Sequence, residues 1–416
     1  VAVPQDDRWG RTYEGYSEDP RITRAYGYEE VRGIQDSNFL RLRGDGVIAT
    51  AKHFIGDGGT TGGKDQGVNA SSEADMINIH GQGYYGALAA GAQSVMISFN
   101  SWTNPDLGIN EGKVTGSKKV VTDILKNKIG FDGLVVSDWN AIGQVAGCTN
   151  ASCPQAINAG IDMVMVPSDW KAFITNTVAQ VEGGQIPMSR IDDAVRRVLR
   201  LKFQLGLFEN PYGDPVNGPY RFHQPAYAAL ANQASRESMT VLKNNNVLPM
   251  RLNAGDNIVV AGPRATDPLS CCIWTSYFHQ EYGSLSIMDA IRARAAQAGV
   301  NVYQDTGPAP KLAVVAVGEP SYTHATSWVK EQPYLPADQL AVIQNFRNQG
   351  IPVVVLLVLP RPYVITEWKD LASAIVVTYR GGEEMGPAAA SLLFGDYQAH
   401  GKLPWQLPRA LSDVLR

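Results

Sequence analysis

With 416 residues, 44% of them hydrophobic and 18% charged, the chain has enough apolar content to fill two or three domain cores, which argues against global disorder. A formal charge of −4 with no Lys/Arg cluster argues against nucleic acid or an anionic membrane surface as partner. No apolar run approaches the ~18 residues of a spanning helix.

Val1-Ala2-Val3-Pro4 reads as the end of a strand, which predicts a start inside a domain. Val47 to Ala51 is a short apolar run, followed by a glycine-rich loop from His53 to Gly63. Ala74 to Ala90 is predicted helical, and Ser94 to Phe99 is a second strand. Ser117 to Lys128 carries Val120, Val121, Ile124 and Leu125 as one apolar stripe, with Ser117 as N-cap and Gly130 where a helix would end. After an Asp132-Gly133 turn, the apolar run Leu134 to Val136 suits a parallel strand buried on both faces. Asp162 to Val166 makes a further strand, for about five in all, and Ser189 with Asp192 forms a capping-box pattern at the start of the next helix.

Residues 209–222, rich in Pro, Gly and Asn, read as a linker between a first domain over 1–208 and a second over 223–416. The second repeats a strand–helix rhythm. Strands are predicted at Ile258 to Ala261, Leu312 to Val317, Val353 to Val358 and Ala374 to Thr378. Helices are predicted from Tyr227 into Asn244, at Ser286 to Ala298, over Ala337 to Gln349 and at Met385 to Phe394. This alternation predicts a mostly parallel sheet sandwiched by helices.

Four cysteines are present: Cys148, Cys153, Cys271 and Cys272. Cys148 and Cys153 frame a short polar loop. As a disulfide they would indicate an oxidising compartment, secreted or periplasmic rather than cytoplasmic; as free thiols they indicate none. Asn150-Ala151-Ser152 is a formal glycosylation sequon. Cys271-Cys272 matches no metal-binding spacing, and the six scattered histidines form no zinc-like constellation.

Chemistry-bearing residues gather in four clusters near predicted strand ends and glycine-rich loops. They are Arg8-Trp9-Gly10-Arg11 with Tyr13 to Asp19, Ala51-Lys52-His53-Phe54 with Gly56 to Thr60, Ser98 to Trp102, and Ser137-Asp138-Trp139. In a parallel α/β protein the carboxyl ends of the strands carry the site. Cationic donors and indoles beside one carboxylate are what a sugar pocket needs. Taken singly, each has a plainer role: Asp138 as a helix cap, Lys52 paired with an acid, His53 as a core histidine. The glycines after His53 lack the Gly-Lys-Ser/Thr ending of a phosphate loop.

In order and spacing, these stretches together with Ala159 to Pro167, Glu237 to Leu248 and Leu393 to Pro404 resemble glycoside hydrolase family 3, most closely its β-glucosidases and β-glucan exohydrolases. The resemblance implies an α/β fold: a (β/α)8-type TIM-like barrel followed by an α/β sandwich, with the site at their junction. It implies that Asp138 is the catalytic nucleophile and that Arg11, Lys52 and His53 hold hydroxyls of the non-reducing terminal sugar. Trp139 would form one wall of the next subsite and Trp274, from the second domain, the facing wall. The substrate would be a β-glucoside or β-glucan oligosaccharide, with no metal or organic cofactor. The His-rich continuation of the N-acetylglucosaminidase branch is absent.

Two departures stand out. About five barrel strands are visible where such a barrel has eight. The chain is then a fragment, or another chain or a rearrangement completes the barrel. A retaining glycosidase also needs a second carboxyl about 5–5.5 Å from the nucleophile. The position that matches the family's acid/base after Gly318-Glu319 holds His324, while Glu331 lies in the same loop; Glu331 is the first choice and His324 the second, with Glu319 as a structural acid. Phe99 replaces a tyrosine that contacts the nucleophile in plant members, leaving Asp138 one hydrogen bond short. The leading expectation is a retaining exo-acting β-glycosidase; the rival is a truncated or inactive sugar-binding member. A third reading keeps catalysis and changes the sugar, to xylose for example.

Overall fold

The computed structural model describes residues 1–35, 46–212, 224–271, 284–320 and 333–414. The chain divides into two compact units, Val1–Pro219 and Tyr220–Arg416.

In the first unit three strands, β1 (Thr50–Phe54), β3 (Ser94–Ile97) and β6 (Leu134–Val136), form a parallel sheet in the order β1-β3-β6. A second small sheet joins β2 (Val68–Asn69), β4 (Ser101–Asn104) and β5 (Ile109–Lys113). The apolar stripe of the helix Lys119–Lys128 works as its spacing predicts: Val120, Val121 and Leu125 are buried with Val95, Ile97 and Val135 of the strands. Ser117 Oγ accepts from Val120 N–H at 3.1 Å, and Gly130 ends the helix with φ 78°. The helical run predicted from Ala74 comprises Glu73–Asp75, a π-turn at Met76–His80 and Gln82–Ala89.

Three expectations need correction. Ala2 and Val3 are buried, but Val1 to Val3 forms no strand; the bonds from Val1 N to Lys52 O and from Gln5 N to Gly58 O are spaced too far apart to make a ladder. Asp162 to Val166 is reduced to a single parallel bridge, Val136 with Met163. The Asp162 side chain explains this, because Oδ2 itself accepts the Val135 N–H at 2.9 Å and Oδ1 binds Lys126 Nζ at 2.7 Å and Arg190. Finally, the helix Met188–Gln204 starts one residue before Ser189, with Pro187 at its N-cap and no side-chain cap.

The second unit has a six-stranded sheet in the order β7-β12-β11-β10-β8-β9. Its strands are β7 (Thr240–Asn244), β8 (Asn257–Ala261), β9 (Asn301–Gln304), β10 (Leu312–Gly318), β11 (Val353–Val358) and β12 (Ala374–Val377). All pairs are parallel except β7 with β12. Alternate residues go to opposite faces. Val260, Val314, Ala316 and Leu356 pack with Ile291 and Leu392 from the helices Ile287–Gln297 and Met385–Phe394. On the other face Val259, Val315, Val317 and Leu357 pack with Ile343 and Phe346 of the helix Ala337–Asn348. Buried on both faces, these strands read as unbroken apolar runs. The helix predicted to run into Asn244 stops at Ser238 and gives way to β7, and β9 is an edge strand without a clear sequence signal.

Cys148 and Cys153 form a disulfide, Cys271 is also disulfide-bonded, and no described cysteine is free.

Candidate active site

Asp138 lies two residues past the end of β6, and its neighbours fix it on both sides. Ser137 N–H donates to Met163 O at 3.0 Å, Ser137 Oγ accepts from Met165 N–H at 2.9 Å, and Asn140 N–H donates to Met165 O at 2.9 Å. Asp138 is 8% exposed. Its Oδ1 accepts the Trp139 N–H at 2.6 Å, while Oδ2 is buried with no hydrogen-bond partner among the described residues. Phe99, half-buried after β3, has no hydroxyl to offer it. Trp139, next in the chain, is 57% exposed.

His53 reaches the same place from β1. The β1–β3 register slips between Ala51 and Phe54: Ala51 pairs with Val95 but Phe54 with Ile97. Such a bulge re-aims side chains, and here both His53 and Phe54 are buried while Lys52 faces solvent. His53 Nε2 lies 3.5 Å from Asp138 Oδ2 and 3.2 Å from Arg11 Nη2; Nδ1 lies 2.9 Å from Asp57 Oδ2. Arg11 is held in turn by Glu14 in a bidentate pair at 2.8 and 2.7 Å. Burial lowers the Arg11 pKa, but the hydrogen bond and charge of Glu14, with the charges of Asp65 and Asp57, outweigh it and the net shift is upward. Burial pushes Asp57 up, yet its hydrogen bond with His53 and the nearby Arg11 charge hold it below the usual carboxylate range.

The structure therefore brings Arg11, His53 and Asp138 together, with Trp139 adjoining. Lys52, exposed on β1, lines a cavity of about 200 Å³ together with Glu14, Tyr16, His53 and Asp57. Trp274, His324 and Glu331 lie outside the described residues. Glu319 is buried, accepting from Arg361 Nε and Tyr363 OH, both at 2.6 Å, as suits a structural acid. The sequence clusters contain Asp57, Glu14 and Asn100 but give none of them a role; the buried Oδ1 of Asn100 has no partner among the described residues. The first two carried a signal in their spacing, four residues after His53 and three after Arg11.

Residues 1–201 match the glycosyl hydrolase family 3 N terminal domain, and residues 239–416 match the family's C-terminal domain. The chain belongs to glycosyl hydrolase family 3. Among solved structures, an exo-1,3/1,4-β-glucanase from a Pseudoalteromonas species is 37% identical with a TM-score of 0.90, covering 98% of this chain and 53% of that one. A β-glucosidase from Listeria innocua in complex with glucose is 25% identical with a TM-score of 0.85, covering 99% of this chain and 58% of that one. A periplasmic β-glucosidase from Salmonella typhimurium is 28% identical over 100% of this chain and 59% of its own length. The chain thus spans between about half and three-fifths of these relatives. Its fold class is that of family 3: an α/β barrel-type domain followed by an α/β sandwich domain.

Proposed function

We propose that the protein is a retaining exo-acting β-glycosidase that releases glucose from the non-reducing ends of β-glucosides or β-glucans. The observation that carries this reading is the state of Asp138: a buried carboxylate at a parallel strand's carboxyl end, one oxygen held by a backbone N–H and the other without a hydrogen-bond partner among the described residues, 3.5 Å from His53, which Arg11 in turn contacts. In this reading Oδ2 attacks the anomeric carbon, and the C–O bond to the leaving group breaks as that oxygen gains a proton. A glycosyl–Asp138 ester forms, and water then hydrolyses it with net retention. Arg11 and His53 hold sugar hydroxyls, Lys52 reaches in from the cavity edge, and Trp139 stacks on the leaving sugar. The sequence assigns the proton donor to Glu331 or His324. The glucose complex and the names of the similar proteins support a glucoside substrate.

A 2-deoxy-2-fluoro-β-glucoside with a good leaving group tests this, because the fluorine slows hydrolysis of the ester while the leaving group keeps its formation fast. Intact-mass measurement should show one added fluoroglucosyl group, mapped by peptide sequencing to Asp138. A label mapped to another residue would overturn the assignment.

A further inference from the structure

Two hydrogen bonds meet the His53 ring from opposite sides. Arg11 Nη2 bears only donors, so at 3.2 Å from Nε2 it donates and Nε2 is the acceptor. Asp57 Oδ2, 2.9 Å from Nδ1, accepts the hydrogen carried there. Asp57 is not free to turn, because its Oδ1 accepts the Gly58 N–H at 3.0 Å. The loop beneath is tightly packed: a Cβ on Gly58 would lie 2.5 Å from Val3 O.

We propose that Asp57 is a positioning residue that locks His53 in its Nδ1–H tautomer, so that a lone pair and not a proton on Nε2 faces Asp138 and the sugar. The catalytic half of this proposal rests on the glycosidase reading above. In the locked tautomer Asp138 Oδ2, 3.5 Å away, keeps its lone pairs for the anomeric carbon, and Nε2 accepts from Arg11 or from a sugar hydroxyl. In the opposite tautomer an Nε2–H would oppose the Arg11 N–H and hydrogen-bond the nucleophile. Asp57→Asn inverts the lock. Gly58 N–H retains the amide oxygen, which leaves the amide NH2 to donate to Nδ1 and moves the ring proton to Nε2.

The ring tautomer is read from long-range ¹H–¹⁵N correlation spectra of histidine-labelled protein near neutral pH, with His53 assigned by its loss in His53→Gln. The wild type should show a protonated Nδ1 and a bare Nε2. Asp57→Asn should shift to Nε2–H, and its kcat/KM for p-nitrophenyl β-glucoside should fall by about 10–100-fold, as on losing a partner that orients a metal-bound histidine. An Nε2–H or doubly protonated His53 in the wild type overturns the proposal, even if Asp57→Asn fails to fold. So does a variant that keeps the Nδ1–H tautomer, or one that exchanges tautomers with unchanged kcat/KM. The spectrum needs no substrate. A wild type that shows the tautomer but cleaves no glucoside would therefore count for the Asp57–His53 coupling and against the glycosidase reading.

Discussion

Trp139 and Asp138 are neighbours in sequence with opposite environments, one 57% exposed and one 8%. A surface indole contributes little to stability, so Trp139→Ala should leave unfolding within about 0.5 kcal/mol of wild type. Its loss should instead raise KM for aryl or oligomeric β-glucosides on the order of 10-fold with a smaller change in kcat, because ring stacking is shared by ground and transition states. Steady-state kinetics beside a urea titration checks both halves. Arg11, His53 and Asp138 were legible because each sits in a short motif at a predicted strand end or loop. Asp57 was not: within Gly56-Asp57-Gly58-Gly59 an aspartate reads as a turn residue. Only the folded loop, where a Cβ on Gly59 would lie 2.3 Å from His80 Nε2, shows how closely it packs.

Among elements, the strand that carries Asp138 is pinned by an ionic clamp. Asp162, its side chain 0% exposed, holds the Val135 N–H, Lys126 from one helix and Arg190 from another. Asp193 joins through Lys126 at 3.2 Å and Arg197 at 3.0 Å. Removing Asp162 leaves Lys126 and Arg190 to share Asp193 and leaves the Val135 N–H without its acceptor. Asp162→Ala should therefore destabilise the first unit by about 3–5 kcal/mol, whereas Asp123→Ala, on an exposed pair, should cost under about 1 kcal/mol. Urea unfolding followed by tryptophan fluorescence separates the two. Most elements were legible because buried parallel strands are continuous apolar runs and the helices carry clear stripes. Those that failed are decided by tertiary pairing. β7 and β9 are edge strands, and the predicted strand at Asp162 to Val166 yields to a carboxylate that takes the backbone bond a ladder would make. In the second unit Gly318 turns at φ 134° where a Cβ would lie 2.1 Å from Val358 O, so Gly318→Ala should disrupt the end of β10 as well.

For the molecule as a whole, buried titratable groups make stability depend on pH in a calculable direction. Burial pushes His80 down to about 4, below its usual value, against smaller opposing effects of Asp57 and Asp75. The unfolded chain then binds the extra proton first. This contribution is complete above about pH 6.5 and is lost as pH falls toward 4, amounting to about 3 kcal/mol. Asp57 and Glu14, both held below the usual carboxylate range, add further loss below about pH 4, while Asp65, raised chiefly by burial, acts in the opposite sense. Urea midpoints should fall steadily from pH 7 to pH 4.5, and His80→Leu should flatten that fall; a midpoint independent of pH in the wild type would contradict it.

The central claim is that Asp138 is the nucleophile of a β-glycosidase, and turnover tests it most directly. p-Nitrophenyl β-glucoside should be hydrolysed by the wild type, and the rate should fall by about 10³-fold or more in an Asp138→Ala variant of unchanged circular dichroism, since losing a nucleophile removes the covalent route. Equal rates in the two proteins, or no hydrolysis by a folded wild type, would contradict it.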